Sequence, residues 1–327
     1  MKTILVTGGA GYIGSHACKA LAAAGYLPVT FDNLTTGWRD AVRFGPLEQG
    51  DLLDRARLDE VFARHRPSAV MHFAAYSDVG ESTRDPAKYW RNNVCGSLNL
   101  IEAAIAADCR DIVFSSTCAT YGNHDGVLLD EQTPQRPINA YGASKRTIEE
   151  MLENFAASHG VNSVIFRYFN VAGADPEGEV GEFHRPETHL IPLMLDAICG
   201  RRAALTVHGT DYDTPDGTCI RDYVHVMDLV DAHVRGVRWL EAGRDSRVFN
   251  LGTGRGFSVR EVIDASRAVT NRSVPVTEGP RRPGDATSLV SGSSRAESEL
   301  GWQPERSTLD KMIGDAWAWH QSEGYDK

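Results

Sequence analysis

Short apolar runs alternate with amphipathic stretches along the first half of the chain. The runs predict strands at residues 3–7, 28–32, 46–52, 69–75, 111–117 and 162–170. Between them, stretches such as DRARLDEVFARH and SLNLIEAAIAAD show the apolar spacing of helices. Strands separated by helices are typical of βαβ units, whose parallel sheet is buried on both faces. The pattern therefore predicts an α/β fold with a doubly wound parallel sheet through about residue 172.

The pattern changes after residue 172. Residues 173–189, GADPEGEVGEFHRPETH, are rich in Gly, Pro and charge and predict a long loop. Shorter helix and strand patterns follow this loop. We therefore predict a first domain at residues 1–172 and a smaller mixed α/β domain at residues 173–327. A segment near residues 218–240, which contains RDYVHVMDLVDAHV, is expected to cross back to the first domain and extend its sheet.

Composition narrows the class of partners. The chain has 327 residues and a formal charge of −10, so we expect no nucleic-acid partner, because phosphate contacts need clustered Lys and Arg. Its six cysteines show no CxxC spacing, which predicts neither a disulfide framework nor a zinc site, and we expect no metal. The amino terminus has an apolar run too short for a signal peptide or a membrane span. We expect a cytoplasmic protein with no membrane partner.

A glycine cluster follows the first predicted strand directly. Gly8, Gly11 and Gly14 have the spacing GxxGxxG and lead into an apolar helix that ends at Gly25. Glycines there allow close approach of a pyrophosphate, which the free N–H groups of the helix N-terminus stabilise. Asp32 ends the second strand, where a carboxylate accepts the hydroxyls of an adenosine ribose and repels a 2′-phosphate. These residues predict a Rossmann-type site for NAD.

The third strand ends in GDL. Its position at the same edge of the sheet predicts that Asp51 and Leu52 lie beside the adenine ring. The alternative is that Asp51 caps the helix that begins within LLDRARLDE.

A phenol and an ammonium group lie one helical turn apart in NAYGASK. Tyr141 is a poor base at neutral pH because the ordinary pKa of a phenol is near 10, and Lys145 supplies the positive charge that a phenolate needs. The strand before them delivers Ser115, Ser116 and Thr117 to the edge where doubly wound sheets bind ligands. A hydroxyl there can bridge a substrate oxygen and the phenol. Alone, the YxxxK spacing equally fits an exposed amphipathic face.

Further motifs extend over almost the whole chain in a fixed order: TGGAGYIGSH, DN, GD, HFAA, VGES, NNV, SSTCATYG, YGASK, RYFNVAGA, DGTCIRDYVHVMDL, NLGTG and GPRRPGD. In this order they resemble the UDP-glucose 4-epimerases, also called UDP-galactose 4-epimerases, of the extended short-chain dehydrogenase/reductase superfamily. The motifs DGTCIRDYVHVMDL and PRRPGD are the most specific to that family.

The resemblance implies an isomerase that interconverts UDP-galactose and UDP-glucose by transient C4 oxidation with tightly bound NAD. Tyr141 would be the catalytic base, Lys145 its electrostatic partner, and Thr117 the hydroxyl that bridges to the sugar O4. The cofactor-binding residues would be Gly8, Gly11, Tyr12, Ile13, Gly14, Asp32, Asn33, Asp51, Leu52, Phe73, Ala74, Ala75, Asn92, Ser115, Tyr141, Lys145 and Tyr168. The substrate-binding residues would be Thr117, Tyr141, Phe169, Asn170, His189, Leu190, His208, Arg221, Tyr223, Arg282 and Asp285.

Several positions depart from the pattern of the family. Ser77 stands where a lysine is common near the cofactor ribose. His189 replaces a common asparagine and His208 a common aromatic residue near the uracil, and each histidine has a structural alternative. Leu289 lies near the position that limits the sugar pocket, which leaves N-acetylated sugars undecided.

Other functions use the same scaffold. UDP-xylose/UDP-arabinose and UDP-N-acetylhexosamine 4-epimerases share the C4 chemistry and remain alternatives. By the same resemblance, a nucleotide-sugar dehydratase would carry an Asp-Glu pair for proton transfer directly after the strand threonine. This chain has Cys118 and Ala119 there. A non-catalytic dinucleotide sensor would be free to lose Tyr141 or Lys145. The resemblance also suggests a homodimer through the helices around WRNNVCGSLNLIEAA and SKRTIEEMLENFAA.

Overall fold

The computed structural model describes residues 1–124, 126–282, 285–322 and 324–325. Its strands are β1 (Thr3–Thr7), β2 (Leu27–Asp32), β3 (Leu47–Gln49), β4 (Ala69–His72), β5 (Asp111–Ser115), β6 (Leu128–Leu129), β7 (Asn162–Tyr168), β8 (Asn170–Ala172), β9 (Leu205–His208), β10 (Ile220–His225), β11 (Arg247–Leu251), β12 (Gly256–Ser258), β13 (Val276–Gly279) and β14 (Ser288–Ser291). Its helices are α1 (Tyr12–Ala23), α2 (Arg55–His65), α3 (Val79–Arg84), α4 (Pro86–Tyr89), α5 (Gly96–Ala106), α6 (Ala140–His159), α7 (Leu190–Ile198), α8 (Val226–Glu241), α9 (Val259–Thr270), α10 (Ser294–Leu300) and α11 (Leu309–Gln321).

Seven parallel strands form the large sheet, in the order β11-β7-β5-β4-β1-β2-β3. Helices cover both of its faces, so successive residues of the central strand β1, such as Ile4, Leu5 and Val6, are all fully buried. The strand order reverses between β1 and β4, which opens a crevice at the carboxyl ends of the strands. The predicted doubly wound parallel sheet is confirmed.

The observed strands are shorter than predicted at this same edge. β3, β4 and β5 end at Gln49, His72 and Ser115, and the residues that follow leave the sheet as loops. The predicted strand 162–170 is divided at Phe169 into β7, which joins the large sheet, and β8, which pairs with β10. The polar and glycine residues that end these predicted strands therefore lie in the crevice and not in the ladder.

The remaining strands form two smaller sheets. One has the order β12-β10-β14-β6 with β8 also paired to β10, and the other joins β13 to β9. Within the segment expected to cross back, helix α8 packs against α1 and the large sheet through buried residues such as Leu229 and Val237. Strand β10 instead stays in the sheet of order β12-β10-β14-β6, which we call the smaller sheet, and β11 extends the large sheet. The division of the chain at residue 172 stays a prediction.

Among the helices of the described residues, none has the length and the apolar character needed to cross a membrane.

Three buried histidines give the fold an acid-sensitive component. Burial is the largest influence on His16, His72 and His233, and it lowers their pKa values to about 4, about 3 and about 4. Because an unfolded histidine has a pKa near 6.5, the unfolded state binds more protons below that pH. Acidification from about pH 6.5 towards pH 4 therefore lowers the free energy of unfolding.

We expect the His233→Phe substitution to remove one of the protons that the unfolded chain takes up on acidification. The ring of His233 lies 4.9 Å from that of Phe73 and 4.7 Å from that of Phe166, so a phenyl ring suits the site. Urea unfolding between about pH 6 and pH 5 gives the slope of the unfolding free energy against pH. In the variant this slope should be smaller than in the wild type by about 1.4 kcal/mol per pH unit. The control His159→Gln, at an exposed position that ends α6, should leave the slope unchanged, and an unchanged slope in His233→Phe would contradict the role of this buried ring.

Candidate active site

The glycine cluster forms a tight cradle between β1 and α1. A Cβ atom on Gly14 would lie 2.1 Å from the carbonyl oxygen of Gly8, and one on Gly8 would lie 2.7 Å from the nitrogen of Ala74. Gly8 has a φ of +73°, which favours glycine. At the start of α1, the N-cap residue Gly11 offers no side chain to the first N–H groups. These groups are therefore available to an anion such as a pyrophosphate.

Asp32 organises the adjoining loop. One of its carboxylate oxygens accepts from the backbone N–H of Ala10 at 3.0 Å and the other from that of Leu34 at 2.8 Å. Burial raises the pKa of this carboxyl, and the two N–H donors oppose the shift. A buried carboxylate at the end of β2, beside the glycine cradle, fits the ribose hydroxyls of a dinucleotide.

Asp51 does not cap α2, because Asp54 accepts from the N–H of Arg57 and performs that role. The carboxylate of Asp51 instead accepts from Asn33 at 2.9 Å and from the N–H of Leu53 at 2.9 Å. Two predicted cofactor residues from different loops, Asn33 and Asp51, are thus joined at the carboxyl edge of the sheet.

The first turn of α6 carries Tyr141 to the end of β5. Asn139 caps the helix by accepting from the N–H of Gly142 at 2.8 Å. A Cβ on Gly142 would lie 2.3 Å from the carbonyl oxygen of Ala119, so glycine allows the helix to approach the turn after β5 closely. The phenol of Tyr141 consequently lies close enough to the hydroxyl of Thr117 for that hydroxyl to influence the pKa of the phenol.

Lys145 lies one turn further along α6. Its ammonium group is buried and donates to the carbonyl oxygen of Ser115 at 2.7 Å, beneath the ring of Phe114 at 4.9 Å. The hydroxyl of Ser115 in turn bonds to that of Tyr168. The structure therefore brings together Ser115, Thr117, Tyr141, Lys145 and Tyr168 as the sequence predicts.

Burial dominates the electrostatics of this group. It raises the pKa of Tyr141 well above its usual value, with the neighbouring Tyr168 adding to the shift and the hydrogen bond from Thr117 opposing it. Burial also lowers the pKa of Lys145 to about 7, while the carboxylate of Glu149 opposes that change. A phenolate at Tyr141 therefore needs a further positive charge beside it.

A second group of predicted residues meets on the smaller sheet. Arg221 is held by the carbonyl oxygens of Ile220 at 2.7 Å and Ala286 at 2.8 Å. Asp285 lies 3.8 Å from Arg221 and accepts from Arg282 at 2.9 Å. Pro283 and Gly284 of the PRRPGD motif lie outside the described residues. The two guanidinium groups form a positively charged anchor suited to a diphosphate.

The other predicted substrate residues surround these two groups. Tyr223 of β10 is buried and pairs in register with Asn170 of β8. Phe169 packs in an apolar cluster with Leu289 beside the turn after β5. His208 lies at the end of β9, opposite Gly279.

His189 and Leu190 mark the start of α7. The ring of His189 bonds to the carboxylate of Glu187 at 2.9 Å. Its place as a substrate residue stays a prediction.

Sequence reasoning missed Asn93 as a positioning residue. This buried amide lies on the π-helical turn Trp90–Cys95, accepts from the N–H of Tyr76 at 3.0 Å and donates to Ser144 at 3.1 Å. Ser144 in turn donates to the carbonyl oxygen of Tyr141 at 2.8 Å. The predicted Asn92 donates to Asn93 at 2.9 Å. The paired asparagines in NNV were the available signal, and only the structure shows which one is buried.

A buried ion pair behind Lys145 was also missed. Glu149, one turn after Lys145, forms a bidentate pair with Arg167 of β7, whose nearest nitrogen–oxygen distance is 2.6 Å. The same carboxylate accepts from the hydroxyl of Ser116, next to Thr117. This network fixes α6 to the two strands that carry the catalytic group. The spacing of Lys145 and Glu149 on one helical face was the signal in the sequence.

The chain is similar to known proteins over almost its whole length. The model of the NAD dependent epimerase/dehydratase family matches residues 4–252. The UDP-glucose 4-epimerase of Rhizobium meliloti (strain 1021) is 54% identical over 319 residues, which cover 98% of this chain and 97% of that protein. The crystal structure of UDP-glucose 4-epimerase from Brucella ovis in complex with NAD has a TM-score of 0.95 at 48% identity, covering 97% of this chain and 98% of that one. The enzyme from Bifidobacterium longum in complex with NAD⁺ and UDP has a TM-score of 0.93 at 35% identity, covering 98% of each chain. The chain therefore belongs to the NAD dependent epimerase/dehydratase family and, within it, to the UDP-glucose 4-epimerases.

Proposed function

We propose that the protein interconverts UDP-galactose and UDP-glucose by transient oxidation of the sugar at C4. The main support for this proposal is that α6 brings Tyr141 to Thr117 and Lys145 to Ser115 at the end of β5, on the same carboxyl edge of the sheet as the glycine cradle. When bound, NAD supplies the acceptor and donor of the C4 hydride and a positive charge beside the phenol. No net oxidation occurs, so the cofactor must stay bound throughout the cycle.

Tyr141 takes the proton of the 4-hydroxyl in this account. The hydroxyl of Thr117 lowers the pKa of the phenol against the larger effect of burial, and the same hydroxyl would bridge to the sugar O4. Lys145, whose ammonium group donates to the carbonyl oxygen of Ser115, would supply positive charge one helical turn from the phenol. General acid–base catalysis of this kind typically contributes about 10²- to 10⁴-fold to a rate.

The nucleotide end must stay anchored while the 4-keto sugar turns. Arg221 supports this role because two backbone carbonyls hold its guanidinium group before any substrate binds. Asp285 lies beside both arginines and offers a carboxylate to the uridine ribose. The sugar lacks such a fixed charged contact in the proposed arrangement, so it can present either face to the same hydride.

Dehydration is disfavoured by the two residues that follow Thr117. Burial raises the pKa of the Cys118 thiol to about 12, and Ala119 has no proton to transfer. An elimination across C5 and C6 needs an acid and a base near those atoms. The site therefore supports oxidation and return at C4 without loss of water.

Incubating the purified protein with UDP-galactose and no added NAD tests this function. We expect UDP-glucose to form. Absence of product, in a preparation whose denatured supernatant contains NAD, would overturn the proposal. Parallel assays with UDP-N-acetylgalactosamine and UDP-arabinose rank the alternative sugars, which Leu289 leaves open.

Gly14→Ala is expected to reduce retention of NAD. The added methyl group meets the backbone of Gly8 and forces the cradle to open. Measurement of NAD in the denatured supernatant should show lower occupancy than in the wild type. Gly314→Ala is the matched control, because its nearest neighbour, Val269, lies 4.0 Å from the added atom. Equal occupancy in both variants would contradict the role of the cradle.

Arg221→Met is expected to weaken substrate binding more than the chemical step. Hydrogen bonds to charged groups contribute about 1.5–3 kcal/mol, which corresponds to a rise in KM of about 10- to 100-fold. Steady-state kinetics with UDP-galactose provide the measurement. Arg281→Met removes an exposed guanidinium that pairs with Asp211 at 2.7 Å, and we expect little change. Equal effects of the two substitutions would argue against Arg221 as the anchor.

We further propose a cytoplasmic homodimer. Trp90 has 40% of its surface exposed, just before α5, and this large apolar side chain supports an interface formed by α5 and α6. Light scattering should give twice the chain mass, and a mass equal to one chain would exclude the dimer.

A further inference from the structure

Four metal-ligating side chains converge in the loop between β8 and α7. They come from Glu182, His184, Glu187 and His189, and their four ligand atoms all lie within 4.8 Å of one another. His189 Nδ1 is 2.9 Å from a carboxylate oxygen of Glu187 and 3.1 Å from one of Glu182. His184 Nδ1 is 3.4 Å from each of the same two carboxylates. We refer to these four residues as the His/Glu cluster.

The spacing of these atoms is close to that of the donor atoms in a tetrahedral zinc site. Zinc bonds to imidazole nitrogen and carboxylate oxygen at about 2.0–2.2 Å, so the donor atoms of a tetrahedron lie about 3.3–3.6 Å apart. The two distances of His184, both 3.4 Å, lie inside this range, and those of His189, 2.9 and 3.1 Å, lie slightly below it; the two imidazoles face different oxygens of Glu187. Only small movements would bring all four donors to one ion. Two carboxylates and two neutral imidazoles would also balance the charge of a divalent cation.

Neighbouring groups hold the ligands in place. One carboxylate oxygen of Glu187 accepts from the N–H groups of Thr188 and His189, both at 2.8 Å. The side chains of Glu182 and Glu187 are only 8% and 11% exposed, so two acidic groups are withdrawn from water together. Withdrawal of two carboxylates requires compensating positive charge, which a metal ion or two protonated histidines can supply.

The cluster also lies next to the cofactor cradle. The ring of His184 meets that of Tyr12 edge to face at 6.3 Å, and the hydroxyl of Tyr12 donates to the carbonyl oxygen of Gly173 at 2.6 Å. His189 ends the loop as the N-cap residue of α7. An ion in the cluster would therefore fasten the loop between the start of α1 and the start of α7.

We propose that the His/Glu cluster binds one divalent transition-metal ion of the zinc class, with a structural role. Its mixed nitrogen and oxygen donors favour zinc over magnesium and calcium, which prefer oxygen ligands alone. The ion itself would take no part in the oxidation and reduction at C4. It assigns Nδ1 of His189 to the metal, where the sequence resemblance implies a substrate contact, and it departs from the expectation of no metal.

Metal analysis of the tag-free wild-type protein tests the proposal. After dialysis against a chelator, the protein is titrated with zinc chloride and analysed by calorimetry and elemental mass spectrometry. We expect one zinc per chain and a higher melting temperature with zinc than without. Cobalt in place of zinc should give the visible absorption of a tetrahedral site. No stoichiometric uptake of either ion would show that the cluster is an ion-pair network only, and would overturn the proposal.

Two variants locate the ion. His184→Gln should lose stoichiometric zinc uptake and the zinc-dependent rise in melting temperature. Glu177→Gln alters the separate acidic group around Lys19 and is the matched control, which should bind zinc as the wild type does. Uptake that is unchanged in His184→Gln and lost in Glu177→Gln would place the ion elsewhere and contradict the proposal. Should His184→Gln fail to fold, the cobalt spectrum of the wild type still decides the matter.

Discussion

Replacing Tyr141 with Phe is expected to lower kcat by about 10²- to 10⁴-fold, the usual contribution of general acid–base catalysis. The phenol is the group that contacts Thr117, and phenylalanine keeps its shape while it removes the proton carrier. NAD should still be retained, because the glycine cradle and Asp32 remain intact when the predicted cofactor contact of the phenol is lost. Measurement of kcat and bound NAD on the same preparation separates loss of chemistry from loss of cofactor.

Tyr26→Phe is the matched control for this substitution. Its hydroxyl bonds to Glu241 at 2.8 Å on the surface, so its removal should leave kcat at the wild-type value. A Tyr141→Phe enzyme with wild-type kcat would show that another group moves the proton. An inactive wild type that binds NAD would instead favour the sensor alternative.

Replacing Arg167 with Met is expected to lower the free energy of unfolding by about 3–5 kcal/mol. The substitution leaves the buried carboxylate of Glu149 without its bidentate partner, and Glu149 itself is only 2% exposed. Because α6 carries Tyr141 and Lys145, we also expect kcat to fall at temperatures where the variant remains folded. Urea unfolding and steady-state kinetics provide the two measurements.

The pair of Arg247 and Glu299 provides the comparison for Arg167. Its side chains are about a third or more exposed, and the pair contributes about 0–1 kcal/mol by the usual measure of surface ion pairs. Arg247→Met should therefore change stability little. A loss in Arg167→Met that is no larger than that in Arg247→Met would contradict the importance of the buried network.

Much of the large sheet is predictable because its signals are local. Each strand is a continuous apolar run and each intervening helix has its own periodicity, so the runs that became β1, β2 and β5 are visible without knowledge of their partners. The residues that end these strands meet at one edge of any parallel sheet. For this reason Asp32, Ser115 and Thr117 could be predicted as site residues.

The smaller sheet could not be predicted in the same way. β6 has two residues, β8 and β12 have three, and β14 has four, which is too short for a recognisable period. Their pairing is also distant in sequence, as in the contact of β14 with β6. The sequence therefore favoured extension of the large sheet by the segment near residues 218–240, whereas β10 joins this sheet and β11 extends the large one.

Buried polar partners were hidden for a related reason. Glu149 and Arg167 each resemble surface residues of an amphipathic element, and only the packing of α6 on β7 withdraws both from water. The His/Glu cluster lies in a loop without periodicity. Its donors are histidine nitrogens and glutamate oxygens, which a CxxC spacing does not indicate. In both cases the chemistry depends on which side chains meet, and this is decided by tertiary structure.

The fate of the C4 hydrogen distinguishes return of the same hydride from exchange with water. UDP-galactose that carries deuterium at C4 is converted in ordinary water with no added NAD, and the product is analysed by NMR and mass spectrometry. We expect UDP-glucose that retains deuterium at C4, because the same hydride leaves C4 and returns to it within one active site. UDP-glucose that carries hydrogen from water at C4 would contradict it.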